Sequence, residues 1–354
     1  MQKKLIALAV VAAFSAPAFA DVTVYGIVDA AVASVSSTGT KSDMLALSGG
    51  LSSSRIGVTS AEDLDNGMKA VVKVEYSLDA QQSDGVGAAR QEMLALAGGF
   101  GTVATGYLQT TGYDWAVKFD PTSGSAVSPL QSMTKGQFLV GSAAVAARAP
   151  RALAYISPDL GGVVVAVNYT TSFDNVYGNL TLPSGTTAGL KTTATLVSAT
   201  YTGGPLAVGG VYAGTSNDST GAVKRTDVAL GGSYDLGVAK LLATYQTTKT
   251  DASGDAGNTN KAMSFGVVAP VGPGAVAFSY AKNTIATTTA DDNGSGMTLA
   301  YLQGLSKTTT AYVAYHKVSN SNATAAYGVA ANLVTPATNG GSATLIAVGL
   351  NKKF

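Results

Sequence analysis

Cysteine is absent from the chain, so disulfide frameworks, thiolate metal sites, iron–sulfur clusters and cysteine nucleophiles are excluded together. Histidine occurs once, as His316, which removes most imidazole metal cages as well. Charge is scarce: 12% of the 354 residues are Asp, Glu, Lys or Arg, about half the usual soluble share, while 46% are hydrophobic. A surface built from such a chain cannot all face water. The formal net charge of +1 gives no general attraction to nucleic acid. Long apolar runs are also missing: Leu5–Phe14 covers ten residues, whereas a helix needs about 20 to cross a hydrocarbon layer.

That run has another reading. It follows Lys3 and Lys4 and precedes Ala18-Phe19-Ala20, the basic, apolar and small-x-small order of a cleaved secretory signal. The expected organisation is therefore a signal peptide over residues 1–20 and one exported domain over 21–354. Removing Lys3 and Lys4 leaves 20 cations against 21 anions.

A hydrophobic exported chain without a spanning helix has one other way to satisfy its backbone in lipid, a closed β-barrel. Period-two alternation points to it. In Lys69–Leu78, Ala70, Val72, Val74, Tyr76 and Leu78 fall on one face, and Lys69, Val71, Lys73, Glu75 and Ser77 on the other. Val228, Leu230, Gly232 and Tyr234 alternate with Asp227, Ala229, Ser233 and Asp235, and Leu241, Ala243 and Tyr245 with Lys240, Thr244 and Gln246. A soluble sandwich alternates too, but carries more charge on its outer faces.

The connections are more informative. Seven tight turns are expected at Asp65-Asn66-Gly67, Gly98–Gly101, Asp159–Gly162, Gly203-Gly204-Pro205, Asp235-Leu236-Gly237, Gly272-Pro273-Gly274 and Leu305-Ser306. Between them lie eight long polar stretches, near 36–54, 79–89, 111–147, 171–192, 215–224, 250–260, 284–296 and 319–341. Together they join sixteen strands, with both termini on the short-turn side, as in bacterial outer-membrane barrels with an aqueous lumen. Tyr155, Tyr201 and Tyr234 precede short turns and Phe100 lies within one, as an interfacial girdle requires, although tyrosine favours strands anywhere. Thr344, Ile346, Val348, Leu350 and the terminal Phe354 share one alternating face.

Over its whole mature length the chain resembles the general diffusion porins of Gram-negative outer membranes, in particular the glycine-rich β-proteobacterial type. The resemblance rests on Val22-Thr23-Val24-Tyr25-Gly26-Ile27-Val28-Asp29-Ala30, on Ser54-Arg55-Ile56-Gly57 leading to Ser60-Ala61-Glu62-Asp63-Leu64, on Gly99-Phe100-Gly101-Thr102-Val103, and on Val348–Phe354. It implies a homotrimer of sixteen-stranded antiparallel barrels, all-β, each a water-filled channel for passive diffusion of ions and small hydrophilic solutes. It also implies an inward-folded third external loop, here Thr111–Val145, and a terminal Phe354 read by the barrel-assembly machinery. Tyr113, Trp115, Phe119 and Phe138 argue that this loop packs, since a disordered tract rarely carries that many aromatics.

The resemblance further implies a constriction with loop acids opposite a ladder of wall arginines. Arg55 and Arg90 match ladder positions, Arg148 and Arg151 near the start of the sixth strand are candidates, Asp114 matches the loop acid, and Asp120 is a second candidate for it. Where the family often has a further arginine after the fifth-strand glycine, this chain has Gly106-Tyr107-Leu108-Gln109. Lys73 and Glu75 share the expected lumen wall and offset each other. Fixed charges act strongly in so narrow a passage, because attraction grows as the effective dielectric falls.

Other chemistry finds little support. Asp251-Ala252-Ser253-Gly254-Asp255 alternates oxygens like a calcium loop but has Ala256 at the required glycine and Ala262 at the glutamate. Asp291-Asp292-Asn293-Gly294 suits a divalent ion or a plain turn. His316 offers a general base without a nucleophile elbow, so a rim or wall histidine is the better assignment. No cofactor or metal is expected. A substrate-specific channel is the alternative within transport, and a barrel enzyme or adhesin lies outside it.

Overall fold

The computed structural model describes residues 21–354 apart from 82–84, 123, 135–137, 141–146, 174–191, 218–223, 252–258 and 287–291. The expected signal over 1–20, most of the 171–192 stretch, the calcium-like pattern after Asp251, and Asp291 lie outside the described residues. Strands run β1 (Asp21–Ser37), β2 (Asp43–Ser48), β3 (Arg55–Asp63), β4 (Lys69–Leu78), β5 (Val86–Gly98), β6 (Gly101–Gln109), β7 (Arg148–Ile156), β8 (Val163–Thr170) and β9 (Thr192–Gly203). The rest are β10 (Leu206–Asn217), β11 (Lys224–Asp235), β12 (Lys240–Thr250), β13 (Thr259–Val271), β14 (Gly274–Thr284), β15 (Gly294–Gly304), β16 (Thr309–Asn320) and β17 (Ser342–Lys353). Two short helices, α1 (Thr111–Phe119) and α2 (Pro129–Thr134), lie between β6 and β7.

Each strand from β3 onward pairs antiparallel with the next. β17 then pairs with β1, from Ile27 opposite Lys353 to Ser37 opposite Ala343. The ring is thus closed and leaves no open edge. β2 and β3 lie end to end along the other side of β1, so the seventeen segments form sixteen staves of one up-and-down barrel. All seven short turns fall where the sequence places them. At the tightest, Gly98 pairs with Gly101, Gly203 with Leu206 and Val271 with Gly274.

The first long stretch differs from expectation. Residues 36–54 are not one loop: after a turn over 38–42, Asp43–Ser48 return as β2, and the chain leaves the ladder again over 49–54. The cause lies on β1. Asp29 is fully buried, and its carboxylate accepts from the Leu51 and Ser52 amides at 3.2 and 3.0 Å, from Tyr312 Oη at 2.7 Å and from Asn351 Nδ2 at 2.7 Å. One charge therefore folds the break inward and ties it to β16 and β17. The serine- and glycine-rich composition there conceals the short strand.

Alternation sorts the two faces as expected. Val72, Val228, Leu230, Tyr234, Ile346, Val348 and Leu350 are exposed, whereas Asp227, Ala229, Thr244 and Gln246 are buried. Tyr155, Tyr201, Tyr234 and Phe100 are exposed beside the short turns, and the Tyr155 hydroxyl donates to the Phe100 carbonyl at 2.8 Å. Among the small residues of β1, Ala31 and Ala33 are buried on the inner side, and Gly26 is covered by the Phe354 ring, which an added Cβ would meet at 2.3 Å.

Apolar burial is concentrated inside the ring. Trp115, Phe119, Leu139 and Val140 pack with Leu196, Val211, Ala213 and Ala229 of β9–β11. Val127, Leu130 and Met133 pack with Ala281, Ala300, Val318 and Leu345 of β14–β17. The segment between β6 and β7 therefore lines the inner wall. We expect Asp29→Ala to lower the heat stability of the folded barrel, read by gel migration on heating, by about 3 kcal/mol or more, because four donors lose a buried anion. Asp29→Asn, which keeps acceptor capacity, loses less.

Candidate functional site

Three neighbouring staves carry the charged cluster on their inner face. Glu75 on β4 lies opposite Gly57 of β3 and Gln91 of β5. The β4–β5 ladder shifts at this point, with Glu75 opposite Gln91 and Tyr76 opposite Ala89. Arg90 is the extra residue of the resulting bulge, and bulges re-aim side chains. Its Nε donates to Glu75 Oε1 at 2.8 Å, while Arg55 Nε stands 3.7 Å from Oε2. Tyr25 completes the set, donating to Glu75 Oε2 at 2.9 Å. It can do so because its register partner is Gly57, where an added Cβ would lie 2.4 Å from the tyrosine ring. Lys73 lies over that ring, 5.6 Å from its centroid, a cation–π contact.

Arg148 joins from β7. It is buried, donates to the Arg90 carbonyl at 2.6 Å, and stacks 4.6 Å from the Tyr113 ring. Asp114, in the first turn of α1, is exposed on the loop side and bonded by Gln109 Nε2. Lys73 and Arg148 both act electrostatically on it. The structure thus brings together Arg55, Arg90, Arg148, Lys73, Glu75 and Asp114, four cations with two anions.

Two expected members are elsewhere. Arg151 shares the exposed, outward side of β7 with Leu153 and Tyr155, because the β6–β7 ladder shifts between Gly106 and Leu108 and the chain takes a left-handed turn at Arg151, with φ 48°. Asp120 is buried and spent on its own loop. It accepts from the Thr122 amide at 2.9 Å, Thr122 Oγ1 at 2.7 Å, the Gly124 amide at 3.0 Å and Ser128 Oγ at 2.5 Å.

The loop is held by the wall it faces. Trp115 Nε1 donates to the Gly209 carbonyl at 3.0 Å, and buried Asp227, paired with Arg225, accepts the Leu139 amide at 2.9 Å. His316 is fully buried and bonds Thr298 Oγ1 at 2.8 Å through Nδ1 and Ser132 Oγ of α2 at 3.3 Å through Nε2. It is a wall residue that anchors α2. Phe119 and Pro121 lie so close to Gly231 and Gly266 that a Cβ there would stand 2.6 and 2.0 Å from them. Towards the short-turn side, Lys118 donates to Thr202 Oγ1 at 2.9 Å. Burial, and then the charge of Lys240, hold its pKa below the ordinary lysine range. Sequence reasoning missed Tyr25, Tyr113, Gln109 and Lys118. The Tyr25–Gly57 pairing was the available signal, since an aromatic beside a glycine across two staves has room to lie flat.

Residues 7–323 match the family described as Gram-negative porin. The chain belongs to the Gram-negative porins. Outer membrane porin protein 32 of Delftia acidovorans is 31% identical over 366 residues, covering 100% of each chain. Major outer membrane protein P.IB of Neisseria meningitidis serogroup B is 37% identical over 115 residues, 31% of this chain and 34% of that one. Among solved structures, an anion-selective porin from Comamonas acidovorans superposes with TM-score 0.80 at 26% identity, covering 95% of this chain and 100% of that one. OmpT of Vibrio cholerae in its trimer form superposes with TM-score 0.67 at 17% identity, covering 95% and 99%, which shows the shared fold. The porin is an outer-membrane channel for passive diffusion. Among the described residues no cluster of His, Cys, Asp and Glu could hold a metal.

For this porin, Gly266→Val displaces Pro121 and loosens the loop from the wall. The expected result in planar bilayers is a changed single-channel conductance with added current noise, while the barrel still forms.

Proposed function

We propose that the channel prefers anions, and that Arg55, Arg90, Arg148 and Lys73 set this preference against Glu75 and Asp114. The observation that carries the reading is the crowding of four cations around a single wall carboxylate, Glu75. Glu75 consumes the nearest two guanidinium groups, yet the cluster keeps an excess of positive charge beside the loop. In a passage of lowered dielectric each such charge counts for more than in bulk water. Discrimination is then by diameter and sign, and no energy source is needed. The structural likeness to the anion-selective porin from Comamonas acidovorans supports the same sign.

The mature protein begins at Asp21 after loss of residues 1–20, the barrel assembles as a homotrimer in outer-membrane lipid, and Phe354 is the residue that the barrel-assembly machinery reads. Phe354 is half-exposed and closes onto Gly26 through paired backbone bonds of 3.0 and 3.1 Å, which presents its ring at the rim.

Reversal potentials across a salt gradient test the cluster. Neutralising Arg55, Arg90 and Arg148 to Gln together should move the preference towards cations, and Glu75→Gln should move it further towards anions. Unchanged potentials in all of these variants would overturn the assignment. Lys118 adds a pH signature. Its lowered pKa means that it discharges before a solvated lysine as pH rises, so anion preference should begin to fall early on the alkaline side. Lys118→Arg should reduce that early fall.

A further inference from the structure

The outer face of the barrel is not uniform at its long-loop end. Lys249 on β12, Lys261 on β13 and Lys282 on β14 are all exposed. Each shares a face with exposed apolar residues, Tyr245 for Lys249, Met263 and Phe265 for Lys261, and Tyr280 for Lys282. They therefore point towards lipid, not into the lumen. Lys261 lies opposite Thr247, two residues from Lys249, and Lys282 lies opposite Met263, two residues from Lys261. The three ammonium groups thus follow one diagonal across adjacent staves, with neighbours roughly 7–8 Å apart at the Cα.

The residues between them are hydroxylic. Lys249 has Thr226 and Thr259 as register partners, and Lys261 has Thr247 and Thr284. Among the described residues none of the three lysines forms an ion pair; the four ion pairs lie at Glu75, Asp63 and Asp227. The nearest carboxylate along the chain, Asp251, bonds the Lys224 amide. Like charges in a row repel, so the arrangement is unfavourable unless an anion sits across it.

We infer that the Lys249–Lys261–Lys282 row, with its threonines, is a site for a phosphorylated lipid of the outer leaflet. Short turns mark the periplasmic end and long loops the external one, so the row stands where the apolar band meets the outer-leaflet headgroups. A bisphosphorylated glycolipid matches it in three ways. It is anionic, its two phosphates can bridge successive lysines, and its acyl chains run down over Tyr245, Met263 and Phe265. Basic clusters next to an apolar surface recognise anionic headgroups in this manner.

The test uses the purified full-length porin in detergent with bisphosphorylated lipid A as probe, and counts retained lipid by native mass spectrometry. The triple variant Lys249→Gln, Lys261→Gln, Lys282→Gln should retain at least tenfold less lipid A, since each lysine is worth roughly fivefold near such a surface. Lys307→Gln, in a periplasmic turn, should retain it fully, and conductance of the triple variant should be unchanged. On the unmutated protein alone, retention should fall with rising salt and with dephosphorylated lipid A, and millimolar inorganic phosphate should not displace the lipid. Equal retention by the triple variant, or of dephosphorylated lipid A by the unmutated protein, would overturn the site. So would displacement by free phosphate, which would make the row a simple anion site.

Discussion

Inside a hydrocarbon layer no solvent is available to pair a bare amide or carbonyl, so the whole backbone has to be satisfied by the chain itself. Most other features follow from that demand. Full pairing forces side chains to alternate strictly between acyl chains and lumen, and the composition follows: few charges, many small and apolar residues, and polar residues confined to one parity. It also explains why bulges are confined to positions where they serve a purpose. At β4–β5 the irregularity turns Arg90 onto Glu75, and at β6–β7 it separates an inward Arg148 from an outward Arg151.

A ring of this size leaves an inner face that would be merely wet, and the segment between β6 and β7 converts part of it into a packed core. Aromatic groups settle onto glycine on the wall, and the polar anchors are few and buried: Asp227, His316, Thr298 and the Gly209 carbonyl. One side of the interior is therefore apolar and filled, and the other carries the ionic cluster. The interior of this porin is asymmetric by construction.

The fold was legible because its signals are repeated. Seven turns and alternating faces each recur often enough that single ambiguities, such as tyrosine in strands, do not matter. The break at 49–54 was not legible, since nothing in Ser48–Ser54 announces that a carboxylate 22 and 23 residues earlier will bind the Leu51 and Ser52 amides. Site residues were half legible. Arg55, Arg90, Arg148, Asp114, Lys73 and Glu75 do converge, but Asp120 and Arg151 fail for two reasons that sequence parity cannot supply. An acid two residues before a threonine caps its own loop, and a bulge shifts which neighbour faces inward. Tyr25 and Lys118 were missed because their roles depend on what lies across the sheet rather than along the chain.

The join between β1 and β17 has a kinetic meaning. Asp29 meets Asn351, and Gly26 meets Phe354, across almost the entire polypeptide. A chain without β17 can build neighbouring hairpins but must carry two raw edges until that strand arrives, and raw edges invite aggregation. Contacts so remote in sequence also form slowly. Maturation of such a cylinder therefore has to be deferred until synthesis is complete, and its slowest step is the meeting of the two ends.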